Sequence, residues 1–170
     1  LGQEGAQWEA SIPKVLKDLE GRWGITCGER LHGGTESLVF EAKRGDGEPV
    51  LLKLGLPDTN LMGGALRTLQ QVRGHGYPML LEFDVAHNAI RLERLGSPLA
   101  TLKLSGNKER RALCHALTKA WCEPDEPEIW VNGADKAEWL SIFVQGMWEI
   151  HGTPFKPRVL EAALDSAKSR

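Results

Sequence analysis

Two apolar runs on either side of one turn constrain this chain more than anything else in it. In Ser37 to Ala42, Leu38, Phe40 and Ala42 alternate with Ser37, Val39 and Glu41, so one face of an extended segment is apolar. Arg44-Gly45-Asp46-Gly47-Glu48-Pro49 follows, and its Asp-Gly pair signals a tight hairpin with positive φ at its centre. Val50-Leu51-Leu52-Lys53-Leu54 then returns as the next strand. Upstream, Gly33 and Gly34 close an extended run from Trp23 to Leu31 and open the second strand. The stretch from His32 to Gly55 therefore reads as a glycine loop, a strand, a hairpin and a strand. Lys53 is a lone cation within an apolar strand. A buried ammonium is costly unless something anionic meets it, so either Lys53 reaches out to the surface or an anion such as a phosphate sits above it.

A glycine-bearing turn that exposes main-chain N–H groups, followed one hairpin later by a strand lysine, is how protein-kinase-like folds hold ATP phosphates. An ordinary meander with an outward lysine has the same pattern, because Gly-Gly is a common turn.

With 170 residues the chain is long enough to bury a real core. A formal net charge of −2 gives no reason to expect nucleic acid or an anionic membrane surface as partner. Cys27, Cys114 and Cys122 form no CxxC pair, which suits a reducing compartment and a cytoplasmic protein. Cys114, His115 and Cys122 match no zinc spacing, and core packing accounts for them better than a metal does. No apolar run approaches a membrane span. The first residue is Leu1, not Met, which is expected of a processed chain or of part of something longer.

Trp8 to Glu20 reads as an amphipathic helix with Ser11 as N-cap, Pro13 in its first turn, and Ile12, Val15, Leu16 and Leu19 on one side. After the third strand, Pro57 and Asp58 start a helix carrying Leu61, Ala65, Leu69 and Val72, which Gly74 and Gly76 stop. Gly63 and Gly64 weaken it by roughly 1 kcal/mol each relative to alanine. Met79 to Phe83 and Ala89 to Leu92 are two further strands around the turn-prone Asp84 to Asn88. These elements add up to an α+β fold, a five-stranded antiparallel sheet with a helix packed on it. Beyond Ser97 only helices are expected. They are Asn107 to Trp121, with Leu113, Ala116, Leu117, Ala120 and Trp121 on a face, then Ala134 to His151, then Pro157 to Lys168. Residues 1–95 thus read as a sheet lobe and 96–170 as a hinge with a partial helical lobe, and clefts at such joints are where small ligands bind.

In order and spacing, several of these features resemble the aminoglycoside 6-phosphotransferase and hydroxyurea phosphotransferase family, of the streptomycin-kinase type, in its N-terminal part. The resemblance rests on Trp23, Gly33-Gly34 with Ser37 and Val39, and Asp46-Gly47 ahead of Val50 to Lys53. Ala65-Leu66, Leu92-Glu93-Arg94-Leu95 with Pro98-Leu99, Trp139, and Ala163 to Ala167 continue it. It implies a protein-kinase-like N-lobe followed by the first helices of an α-helical C-lobe. It also implies ATP with Mg2+ bound between the lobes and an aminoglycoside-like acceptor whose hydroxyl is phosphorylated. Lys53 looks like the lysine that pairs with the α and β phosphates, and Gly33, Gly34, Thr35, Glu36 and Ser37 look like the phosphate-covering loop. Glu93, Arg94 and Leu95 look like the hinge, where main-chain groups read the adenine edge and the side chains of Glu93 and Arg94 are free to face solvent.

Two departures set limits. The helix glutamate that pairs with such a lysine is replaced at its matching position by Met62. Asp58, one turn earlier, is the only carboxylate between Leu54 and Gly76, and a carboxylate at a helix start is more often a cap. The family's catalytic loop, His-Gly-Asp, is absent, and His151-Gly152-Thr153 reads as a helix end without the acid. No residue here is assigned a catalytic or metal-binding role. Without an aspartate for the acceptor hydroxyl or carboxylates for magnesium, phosphoryl transfer loses positioning and charge neutralisation. The resemblance therefore implies the ATP-binding part of an antibiotic-inactivating kinase, inactive alone. The alternative is a non-catalytic kinase-like module that binds nucleotide or a protein partner.

Glu123, Asp125, Glu126 and Glu128 form an acidic loop that offers contacts to a polycationic acceptor, although a charge run is more often a solvated surface. Trp121, Trp130, Trp139 and Trp148 recur at a spacing that is not helical, and they read as core and lobe-packing residues. The last helices are expected to expose apolar surface around Leu160 and Leu164, and with it a tendency to self-associate.

Overall fold

Five strands, β1 (Ile25–Leu31), β2 (Ser37–Arg44), β3 (Pro49–Gly55), β4 (Leu80–Asp84) and β5 (Ala89–Glu93), pair antiparallel in the order β1-β2-β3-β5-β4. They belong to a computed structural model that describes residues 2–32, 37–57 and 61–168. The chain divides into two compact units, Leu1–Cys122 and Glu123–Arg170, and the whole sheet lies in the first. The α+β class and the five-stranded antiparallel sheet with helices follow the expectation from sequence.

The alternation in β2 sets the first core. Leu38, Phe40 and Ala42 stand opposite Leu54, Leu52 and Val50 of β3, and all six are buried. Helix α1 (Gly2–Trp23) covers this face. Its Leu19 is buried in the cluster, with Trp8, Ile12, Val15 and Leu16 packed against it. A fully buried leucine such as Leu19 or Leu52 contributes about 2 kcal/mol.

The helix is longer than expected, and Ser11 is not its N-cap. Its hydroxyl donates back to the Trp8 carbonyl at 2.6 Å, a bond available only within a helix already formed. Pro13 lies inside the helix, where it removes one main-chain donor without ending the run. Gly24 (φ 59) supplies the left-handed residue that turns α1 into β1.

The Arg44–Glu48 turn closes by Arg44 N–H to Glu48 O at 2.9 Å and Gly47 N–H to Arg44 O at 2.8 Å. The positive φ falls on Gly47 (φ 90), which makes a three-residue loop with a glycine bulge.

Helix α2 (Leu66–Val72) covers part of the second face. Leu66 and Leu69 pack with Ile90 and Leu92, and Leu51, Ala65 and Leu80 border them. A π-type turn, Leu61–Ala65, precedes α2, so the two glycines there carry a widened turn. The expected start at Asp58 lies outside the described residues. The left-handed residue that ends α2 is Arg73 (φ 48), one before the expected glycines, and Gly74 (φ 84) and Gly76 (φ 74) continue with left-handed backbone after it.

Arg91, on the apolar strand β5, is buried. Its guanidinium donates to the Trp23 carbonyl at 2.7 Å, lies 3.5 Å from Glu82, and sits 5.9 Å from the centre of the Trp23 ring.

Helix α3 (Gly106–Ala120) completes the first unit, and its Leu113 and Leu117 are exposed. The second unit holds α4 (Gly133–Ile150) and α5 (Pro157–Lys168), which pack on each other. Asn132 and Asp135 form a reciprocal capping box at the start of α4. His151-Gly152-Thr153 is a helix end, as expected. Gly152 (φ 68) donates to the Glu149 carbonyl at 3.0 Å, and Thr153 to Trp148 at 2.8 Å, which together satisfy the last free carbonyls.

Burial corrects three expectations. Leu160 is 8% exposed and Leu164 half-buried, because α5 turns them toward α4. Exposed apolar side chains of this unit include Trp139, Ile142, Phe143 and Ile150 on α4 and Val159 on α5. Trp121 is 78% exposed and Trp139 51%, so these two are not core residues, and Trp139 stacks on Phe143 at 5.3 Å. Cys114, on α3, and Cys122, just beyond its end, are also exposed.

Candidate functional site

Register decides what shares a face with Lys53. In an antiparallel sheet directly opposed residues point the same way, and Lys53 is opposed by Val39 on β2 and Ile90 on β5. Leu51 and Glu41, opposed to each other, lie one step along the same face. Helix α2 covers the β5 side of this face, and among the described residues of the first unit no helix packs on its β1–β2 side, with Thr26, Val39, Glu41 and Lys43. Lys53 is half-buried at the border of the covered and uncovered halves. Among the described residues no carboxylate forms an ion pair with it.

Ser37, at the start of β2, is buried and opposed to Gly55, two residues from Lys53 on the same face. Gly33, Gly34, Thr35 and Glu36 lie outside the described residues, as does Asp58, and the Met62 side chain is not described either. The loop and the lysine's helix partner are thus untouched by the geometry.

The segment expected to act as a hinge leaves β5 with its side chains alternating. Glu93 and Leu95 border a cleft of about 410 Å³ shared with Tyr77 and with His115 and Lys119 of α3. Arg94 points to the other side and lines a groove of about 390 Å³ at the uncovered face, with Thr26, Gly28, Glu41 and Lys43. Neither hinge side chain is simply left to solvent. The Glu93 carboxylate accepts the Met79 N–H at 2.8 Å while its own N–H donates to the Met79 carbonyl at 3.0 Å, so that donor is already taken. Arg94 donates to the Glu41 carboxylate at 2.8 Å. Sequence reasoning missed Glu41 in this role, because only tertiary pairing brings it to Arg94.

Along β5, Ile90, opposite Lys53, is three residues from Glu93, a span of about 10 Å. This face therefore runs from a cation to a strand end, with Leu51 and Ile90 packed toward α2 on one side and Val39 and Glu41 on the other. Such a surface suits an elongated ligand with an anionic end and a flat, less polar body.

Cys27 borders the groove but is not a reactive thiol. Burial pushes it up to about 11, and the nearby Glu20 carboxylate adds to the shift by its charge and by a hydrogen bond. The same carboxylate accepts the Cys27 main-chain N–H at 2.7 Å and so ties α1 to β1.

Glu123, Asp125, Glu126 and Glu128 are exposed in the second unit. Glu123 and Asp125 each have a partner. Among the described residues no helix is long and apolar enough to cross a membrane.

No protein-family model matches the chain. Over 95 residues it is 36% identical to a streptomycin 6-kinase from Streptomyces glaucescens, covering 56% of this chain and 31% of that protein. Over 94 residues it is 33% identical to a streptomycin 6-kinase from Streptomyces griseus, covering 55% of this chain and 30% of that protein. The matched stretch thus spans about a third of the length of these curated relatives. Together they support a relationship to an aminoglycoside phosphotransferase-like family over part of the chain. A MAP kinase structure from Leishmania major aligns over 84% of this chain and 42% of its own, at 14% identity and a TM-score of 0.36, too low to carry an argument.

Proposed function

We propose that this chain is the ATP-binding part of an aminoglycoside O-phosphotransferase of the streptomycin-kinase type. The observation that carries the proposal is Lys53. It lies half-buried on a sheet face that α2 covers only on one side, in a chain 36% identical to a streptomycin 6-kinase over 95 residues. On this reading Lys53 meets the α and β phosphates of ATP, and the main chain of Gly33 to Ser37 covers them. The main chain at Glu93 to Leu95 meets the base. Magnesium neutralises phosphate charge when bound; among the described residues no carboxylate is in ion-pair contact with Lys53, and Glu41, one step along the same face, is held by Arg94.

The 170 residues contain no His-Gly-Asp. No aspartate is thereby placed to orient an acceptor hydroxyl, and the chain alone does not transfer phosphate. The test is an assay with radiolabelled ATP, magnesium and streptomycin. The expected result is nucleotide retention without labelled antibiotic, and labelled streptomycin would overturn the assignment of an incomplete enzyme.

A second reading, a nucleotide-binding module that never transfers phosphate, is favoured by the lack of a carboxylate partner for Lys53 among the described residues. Restoring a glutamate by Met62→Glu separates the two readings. Tighter ATP binding favours a nucleotide site built for this partner, and unchanged binding favours the module. Self-association through the exposed face of α4 also belongs to the proposal, and a monomer at all concentrations in sedimentation equilibrium would contradict it.

A further inference from the structure

We propose that the Arg94–Glu41 ion pair is a strap across the ligand face, which the base of a bound nucleotide must displace. The inference rests on the nucleotide reading of the Lys53 face. Arg94 follows β5, and Glu41 lies on β2, with β3 between them in the sheet. The pair therefore spans two strand spacings, about 10 Å, across β3. It crosses on the uncovered side, because Glu41 is opposed to Leu51 and points to the same face as Lys53.

Two further observations place the strap in the ligand's path. Arg94 is the one residue of Glu93 to Leu95 that turns into the groove at this face, while its two neighbours border the cleft on the other side. The level of Glu41 and Leu51 is one same-face step from Lys53 toward the strand end. A nucleotide with its phosphates at Lys53 and its base toward Glu93 to Leu95 lies over Leu51, where the strap runs.

The pair is also weak enough to open. Its side chains are 33% and 46% exposed, and a half-exposed ion pair with good geometry has a small net stability that salt reduces. Opening it costs a ligand about two- to fivefold in affinity. The strap thus sets a modest barrier to base entry, while Lys53 acts on the phosphates only.

Adenosine is the probe, since it has a base and no phosphate, and its binding is blind to any change in net charge. Binding of adenosine and of ATP would be followed by NMR titration on the full 170-residue chain, on Glu41→Gln and Arg94→Gln, and on Lys53→Ala. Both neutral variants are expected to bind adenosine two- to fivefold more tightly than the parent. Raising the salt concentration is expected to tighten adenosine binding to the parent and to leave the variants unchanged. Lys53→Ala is expected to weaken ATP but not adenosine. Equal or weaker adenosine binding by the two strap variants would overturn the strap and leave the nucleotide reading standing. If neither adenosine nor ATP binds the parent, the nucleotide reading fails and the strap with it.

Discussion

The Asp84 carboxylate accepts the His87 main-chain N–H at 2.9 Å, and the His87 ring nitrogen Nδ1 lies 3.1 Å from the same oxygen. Its other oxygen pairs with Arg22 of α1, and Arg22 in turn pairs with Asp18 at 3.2 Å. His87 also faces Asp18 at 3.6 Å. One buried carboxylate thereby ties the β4–β5 turn to the end of α1.

That tie makes stability depend on acid. Burial pushes the Asp84 carboxyl up, but the His87 N–H and ring and the Arg22 guanidinium outweigh it, and the net shift is downward. A depressed carboxyl stabilises the folded state above its ordinary range near pH 4, and the contribution is lost as pH falls through the lower folded value. Asp84→Asn is expected to cost about 1–3 kcal/mol at neutral pH and to flatten the loss of stability below pH 4, as read by urea unfolding across pH. An acid limb unchanged by the substitution would mean that other carboxylates govern it.

Gly76 is tightly constrained. A Cβ there would stand 2.6 Å from both the Ala116 carbonyl oxygen and the Ala120 nitrogen of α3, and its φ of +74 is strained for any other residue. Gly76→Ala is expected to destabilise by about 2 kcal/mol or more, by strain and by displacement of α3. Gly47→Ala, at φ +90 with nothing within 4 Å, isolates strain alone and is expected to cost less. Chemical denaturation of the two variants checks the difference.

Thiol chemistry gives an independent check on the groove. With Cys27 at about 11 and Cys114 and Cys122 exposed, a disulfide reagent at pH 8 is expected to label two cysteines quickly and the third about a hundredfold more slowly. Glu20→Gln removes the carboxylate that raises Cys27 and is expected to speed the slow phase. Three equal rates would show that Cys27 is not buried as described.

Much of the fold was legible because the pattern was local. Leu38, Phe40 and Ala42 mark a strand face by alternation alone, and Gly47, Gly74, Gly76 and Gly152 stand where positive φ is needed. Periodicity and capping located α3, α4 and α5 to within a residue at most ends. Other features depend on what packs against what. A helical stripe says which side of α3 is apolar but not that anything covers it, so Trp121 and Cys114 read as core and are exposed. Ser11 resembled a cap because its residue type suits one, while the helix had already begun at Gly2. Asp84 looked like a turn former until α1 brought Arg22 to it, and nothing local in the sequence marks Arg91 as the partner of the Trp23 carbonyl. At the site, Lys53 was legible as a cation on a strand, but its open face was not, and neither was the Arg94–Glu41 pair, which joins residues 53 positions apart.

The account rests on Lys53 as a phosphate contact, and calorimetric titration of ATP with magnesium into the parent chain and Lys53→Ala tests it most directly. The account predicts measurable binding by the parent that weakens about tenfold or more in the variant, as loss of a charge-assisted contact requires. Equal binding by both, or none by the parent, would contradict it.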